Sequence, residues 1–273
     1  MTKTFNGYTL KMIAIIGMVM QHAAIILSEI TPFWLEIPLW FAGGLTFPIM
    51  AFFLVEGYNH TSNLKKYMGR MFIFAVISQI PFATAFAQAH AASGLNIPQL
   101  NIIATLLLGL VTLWLYDKMK SRGLFWFVFV IIVLISVLFN WGIIGPIMVI
   151  LYKTIQTEKT RRTIPSIIAG AYGFLGGLLV LASAALLMMV PATYETAELL
   201  ETAGGADGIF NMGILSMVFA LGNLAVIPLL RRYNGERGRS MKYLFYAVYP
   251  LHFVILVGVA YFVGIAELTL RFF

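Results

Sequence analysis

Residues 10–27 read LKMIAIIGMVMQHAAIIL, a stretch long and apolar enough to span a membrane, yet Gln21 and His22 lie inside it. An imidazole and an amide at bilayer depth must find partners or cost several kcal/mol. Polar groups in such a place mark a functional site by default. The surroundings of His22 are therefore the question that organises the reading of the chain.

The composition places the whole protein in lipid. Of 273 residues, 60% are hydrophobic and 11% charged, and the mean hydropathy is +0.90. Soluble domains are nearer a quarter charged, so the expected class is an all-α, polytopic transmembrane helix bundle. The first apolar run is too long for a cleaved signal peptide and lacks a small-residue cleavage site after it. Cysteine is absent, which removes disulfides, thiol nucleophiles and thiolate metal sites. The net charge of +7 comes from Lys and Arg in short loops between apolar runs. That is the positive-inside pattern, and it calls for no nucleic-acid partner.

Nine apolar segments follow in order, roughly 9–28, 37–57, 67–87, 99–116, 123–139, 141–154, 164–190, 209–230 and 243–265. The expected count is about nine spans within a range of eight to ten, since the fifth and sixth segments meet at Asn140-Trp141 and can form a hairpin or one broken helix. Loop charges test the count. Alternate loops carry Lys65, Lys66 and Arg70, then Lys118, Lys120 and Arg122, then Lys153, Lys159, Arg161 and Arg162, then the 231–242 cluster. The opposite loops hold Glu29 and Glu36, the uncharged stretch 88–98, and Glu195, Glu198, Glu201 and Asp207. On this partition Arg271 alone is misplaced, and the N-terminus lies inside. No internal repeat or composition break divides the chain, so residues 1–273 read as a single domain. The multi-pass location expected is the inner, or cytoplasmic, membrane. Gly43-Gly44 and Gly173 with Gly176-Gly177 read as close-packing surfaces between helices.

Helix rise sets the depth of the polar residues. His22 lies about thirteen residues, roughly 20 Å, into its span, and His252 about nine residues into the last one. Gln79 is placed similarly in the third, Asn101 and Asn140 stand at outer ends, and Glu56 stands at the inner end of the second. These describe an inward-opening basic vestibule below two buried histidines. Each also has a structural reading: interhelical hydrogen bonds for the histidines and amides, with Tyr249 a candidate partner for His252, and snorkelling or a Lys65 pair for Glu56. A neutral imidazole is a general base or an acyl acceptor. Two histidines with no buried carboxylate near them make a poor metal site, and no nucleophile elbow, zincin or phosphate-loop motif is present.

Three blocks carry a family resemblance: LKMIAIIGMVMQHAA (10–24), FPIMAFFLVEGYNHTSNLKKYMGRMFIFAVISQIPF (47–82), and YNGERGRSMKYLFYAVYPLHFVIL (233–256). NIIATLLLGL and NWGIIGPIMVILY are weaker middle blocks. Together they resemble the TraX family, integral membrane proteins named for the acetylase of the conjugative pilin N-terminus. The resemblance implies an acetyl-CoA-dependent O- or N-acetyltransferase, with acetyl-CoA as co-substrate taken from the cytoplasm. The acceptor it implies is a pilin N-terminus, glycan, lipid or small molecule, reached from the other side. His22 matches the family's first-helix histidine and takes the role of base or acyl carrier. His252, after the Tyr-Pro pair, orients the acceptor or acts second. Gln21, Glu56, Gln79, Asn140 and Tyr249 support them. Asn63, Lys66, Tyr67 and Arg70 in the loop block, with Arg237, Lys242 and Tyr243 in the final block, are the expected CoA contacts.

Three positions depart from the family pattern. An acidic residue commonly precedes the first histidine, where this chain has Gln21. An arginine commonly stands at Gly44, and an Asp at Asn140. Losing the acid costs on the order of 1–3 kcal/mol of imidazolium stabilisation. The competing class is therefore a non-enzymatic membrane protein, a transporter or assembly factor that retains the fold.

Overall fold

The computed structural model describes residues 4–86, 99–189, 205–240 and 242–265. The helices are α1 (Gly7–Ile26), α2 (Phe33–Gly44), α3 (Thr46–His60), α4 (Leu64–Ala85), α5 (Ile102–Lys118), α6 (Arg122–Ile135), α7 (Ile144–Thr154), the single turn α8 (Glu158–Arg161), α9 (Ile164–Met189), α10 (Gly205–Arg231) and α11 (Lys242–Phe262). Among the described residues six runs are long and apolar enough to cross a membrane: Gly7–Ile26, Phe33–His60, Leu64–Ala85, Glu158–Met189, Gly205–Arg231 and Tyr243–Phe262. Each of the nine expected segments coincides with a helix or helix pair, three of them shorter than a full span. The protein is an all-α, multi-pass membrane bundle. The stretch 88–98 and residues Glu195, Glu198, Glu201 and Arg271 lie outside the described residues.

α3 is the axis of the bundle. Thr46 through Val55 are buried apart from the half-buried Met50, and Leu10, Met18, Leu110, Tyr152 and Val226 pack around them in one core. The second expected span is two helices because of Pro48. Its missing N–H and its ring, which crowds the Gly44 carbonyl, break the hydrogen-bond ladder between Gly44 and Thr46. α2 can then leave the axis and wedge between α1 and α10. The wedge needs glycine. A Cβ on Gly44 would lie 2.2 Å from the Phe219 carbonyl oxygen, and one on Gly222 would lie 2.1 Å from that of Phe41. The backbones of α2 and α10 touch there, as small residues permit. The expected packing role holds for Gly43, Gly44, Gly173 and Gly177, whereas a Cβ on Gly176 would meet nothing within 4 Å.

The fifth and sixth segments form a hairpin with a short second arm. α6 runs into a 3₁₀ turn at Ser136–Leu138, and α7 has 11 residues, about 16 Å of helix. The reversal at Trp141 (φ 69°) and Gly142 (φ 33°) is left-handed. A non-glycine residue held there costs about 1–3 kcal/mol. The Trp141 ring stacks on Phe47 at 4.2 Å, which holds the reversal against the bundle axis. Beyond the stub of α7 the described residues leave a space between the helices.

At the opposite end the basic loops gather. Lys153 pairs with Asp117 at 3.0 Å, tying α7 to α5, and Arg161 pairs with Glu56 at 2.9 Å, tying α8 to α3. Arg162 donates to the carbonyls of Leu230 and Tyr233 at 2.9 and 3.0 Å and pairs with Glu158. This basic end matches the charge partition read from the loops.

Candidate active site

His22 on α1 and His252 on α11 meet. The Nδ1 of His22 lies 2.7 Å from the Nε2 of His252, and the rings lie edge to edge, centroids 5.0 Å apart and planes 12° apart, as an in-plane N–H···N bond requires. Phe253 lies 4.7 Å from the His22 ring and Phe86 closes it edge-on at 5.7 Å. The tautomers follow from a third contact. The Nδ1 of His252 is 3.0 Å from the Val248 carbonyl, which can only accept, so that nitrogen carries hydrogen. In the neutral ring Nε2 is then the lone-pair nitrogen, and His22 Nδ1–H donates to it. The lone pair of His22 is left on Nε2. A carbonyl, one imidazole and a second imidazole form a chain that ends in a base.

Two cavities approach this chain from opposite ends. The first, about 920 Å³, opens at the basic end and is lined by α1, α3, α4 and the 233–239 loop. The second, about 860 Å³, occupies the space that the short α7 leaves, between α1, α9 and α10, and His22 and Gln21 line it. Met18, Thr46, Ile102 and Tyr249 line both. One layer of side chains separates the two spaces.

The cavity at the basic end carries Lys11, Lys66, Arg70, Arg237 and Arg239 in its wall, with His60 beside them. Glu56 is the carboxylate of the described lining, and Arg161 engages it. Arg70 stands 5.9 Å from the Tyr67 ring, and its buried Nε has no hydrogen-bond partner among the described residues. Of the expected CoA contacts, Lys66, Tyr67, Arg70, Asn63 and Arg237 line this cavity. Asn63 also caps α4, accepting from the Lys66 N–H at 2.8 Å. Tyr243 does not reach the cavity: it is 71% exposed at the start of α11. Tyr246, one turn on, takes that place, stacked on Phe74 at 4.5 Å. The Lys242 side chain lies outside the described residues. His60, which follows Glu56 at the inner end of the second apolar segment, lines the expected vestibule, and Lys11 of α1 and Arg239 complete the wall; Arg239 was hidden in the sequence because loop cations read as topology.

The supporting residues divide. Gln79 does not touch the histidines. Its Oε1 accepts from the Asn101 backbone N–H and from Asn101 Nδ2 at 3.0 and 2.8 Å, and its Nε2 donates to the Gln99 carbonyl at 2.9 Å. Gln79 and Asn101 thus fix the start of α5, where the Ile102 N–H donates to the Tyr249 hydroxyl at 3.3 Å. Asn140 lines the second cavity while its backbone N–H donates to the Leu100 carbonyl at 2.7 Å. Glu56 stands at the basic mouth, in the first cavity and not the second. The group beside the His22 ring is His252. At Gly44 the space that a side chain would need is filled by α10.

The model of the family described as TraX protein matches residues 6–260. The chain is 29% identical over 265 residues to a protein of Dichelobacter nodosus named probable fimbrial assembly protein FimC, serogroup H1; the match covers 94% of this chain and 97% of that protein. No solved structure matches the chain.

Proposed function

The chain belongs to the TraX family, and from that premise we propose that it is an inner-membrane, acetyl-CoA-dependent acetyltransferase acting on an amine or hydroxyl acceptor. The observation that carries this reading is the meeting of a basic cavity and a second cavity at one wall, with His22 on the far side of that wall. In the proposed orientation the basic end faces the cytoplasm, as Lys- and Arg-rich loops do. CoA phosphates are bound there by Arg70, Lys66 and Arg237, with Arg239 and Lys11 adding charge. The pantetheine arm points the thioester toward the shared wall. The acceptor occupies the second cavity.

His22 is the base. As the acceptor oxygen or nitrogen attacks the thioester carbonyl carbon, its proton passes to His22 Nε2. The C–S bond breaks as the carbonyl re-forms, and the departing CoA thiolate takes that proton from His22. His252 holds the His22 tautomer and shares the positive charge of the transient imidazolium, the role usually given to a carboxylate. On this reading the Gln21 departure is compensated from α11. The name of the D. nodosus relative ties that protein to fimbriae. Carried to this chain, it makes the amino group of a membrane-inserted pilin subunit the first acceptor to test, ahead of a glycan, a lipid or a small metabolite.

A second reading, an assembly factor without catalysis, draws on the filled space at Gly44. The experiment that separates them is acetyl transfer by purified protein in proteoliposomes supplied with radiolabelled acetyl-CoA and cell extract. Release of CoA by wild type above His22→Ala supports the enzyme. Wild type that neither binds acetyl-CoA nor releases CoA overturns it.

A further inference from the structure

The wall between the two cavities holds few groups able to donate a hydrogen bond. Of its residues Met18, Thr46, Ile102 and Tyr249, Met18 offers no side-chain donor. The Thr46 hydroxyl gives its hydrogen to the Ala14 carbonyl at 3.0 Å. The Ile102 N–H gives its own to Tyr249 Oη at 3.3 Å. Because Tyr249 accepts in that contact, its own O–H remains to be given, and no acceptor for it is found among the described residues. The residue is 4% exposed and faces both cavities. A buried phenol whose proton is unspent, standing where two substrate spaces meet, is placed for charge that develops only during reaction.

We propose that Tyr249 is a catalytic residue, donating its hydroxyl hydrogen bond to the thioester oxygen as that oxygen becomes an oxyanion. This rests on the acetyltransferase reading above. The acceptor lone pair forms the new bond to the carbonyl carbon, the C=O π pair moves to oxygen, and Tyr249 O–H bonds to that oxygen without transferring its proton. When the pair returns, the C–S bond breaks and the thiolate leaves with the proton held by His22. The Ile102 N–H, at the first turn of α5, draws electron density from the phenol oxygen and strengthens it as a donor. Gln79 and Asn101 fix that N–H, which gives the amide cluster its part in the site.

The test uses full-length protein in proteoliposomes with acetyl-CoA and hydroxylamine as probe acceptor, reading CoA release. Tyr249→Phe is expected to lower kcat of the folded protein about 100-fold or more, with KM for acetyl-CoA unchanged and a modest loss of thermal stability from the Ile102 N–H left without its acceptor. Site-specific 3-fluorotyrosine at 249, which keeps the hydroxyl, is expected to retain activity. A purely structural role would lower stability in Tyr249→Phe and leave kcat of the folded fraction intact. Tyr249→Phe with wild-type kcat overturns the proposal while the acetyltransferase reading stands. Wild type that releases no CoA above His22→Ala, with hydroxylamine or with cell extract, overturns both.

Discussion

His22 and His252, 230 residues apart in the chain, share a hydrogen bond of 2.7 Å, and the Val248 carbonyl behind His252 decides which nitrogen of each ring carries hydrogen. The pair therefore has a direction, from a backbone anchor on α11 to a lone pair on α1. Removing its two members should have unequal effects.

His22→Ala should reduce acetyl transfer to background, since it deletes the base; general-base loss is typically about 10²–10⁴-fold. His252→Ala should cost less, because His22 remains but loses its fixed tautomer. His252→Gln should recover part of that loss, since a side-chain carbonyl can accept from His22 Nδ1–H. Single-turnover CoA release from the three variants would check this order.

The direction of the chain also sets the pH dependence. A proton on His22 Nε2 occupies the lone pair that the reaction needs, so kcat/KM should fall as pH is lowered and level off as it is raised. A rate that rises toward acid pH would contradict the assignment of His22 as base.

Arg70 should govern the donor and not the chemistry. Arg70→Gln should raise KM for acetyl-CoA about tenfold, equivalent to about 1.4 kcal/mol, with kcat near wild type. Tyr243→Phe should change neither constant, because that ring stands outside the cavity. Initial rates over a range of acetyl-CoA concentrations would separate the two.

Gly44→Ala should destabilise the bundle by about 1–3 kcal/mol, the usual cost of an overpacked contact, because its Cβ would sit 2.2 Å from the Phe219 oxygen. Gly176→Ala, with nothing within 4 Å of the added atom, should leave the melting temperature unchanged. Thermal melts in detergent would compare them.

The helices were legible because hydrophobic runs and loop charges are local signals, repeated nine times along the chain. The hairpin at α6 and α7 was ambiguous because the reversal rests on a left-handed Trp141 held by Phe47, a contact far from it in sequence. Both histidines could be named, but not their contact, since nothing in spacing joins α1 to α11. Gln79 looked like a site residue because any amide at that depth does; only its bonds to Asn101 and Gln99 show it holding α5. Lys11 and Arg239 were overlooked because a cation at a membrane edge has an ordinary reading, and only the cavity gathers them into one wall. Gly44 carries two readings in the sequence, a lost arginine and, with Gly43, a close-packing surface, and the folded chain bears out the packing at its crossing with α10.

The shared wall of Met18, Thr46, Ile102 and Tyr249 has an electrical consequence. Where water enters from both ends, the insulating thickness of the bilayer shrinks locally from about 30 Å to one layer of side chains, and the transmembrane voltage drops across that layer. One charge carried across the full voltage is worth about 2.3 kcal/mol per 100 mV. A proton moving at His22, beside the wall, crosses part of that drop, so acetyl transfer in an energised membrane should sense its potential. The same thinness makes these four side chains the seal against ion leakage, and small substitutions such as Met18→Gly should loosen it.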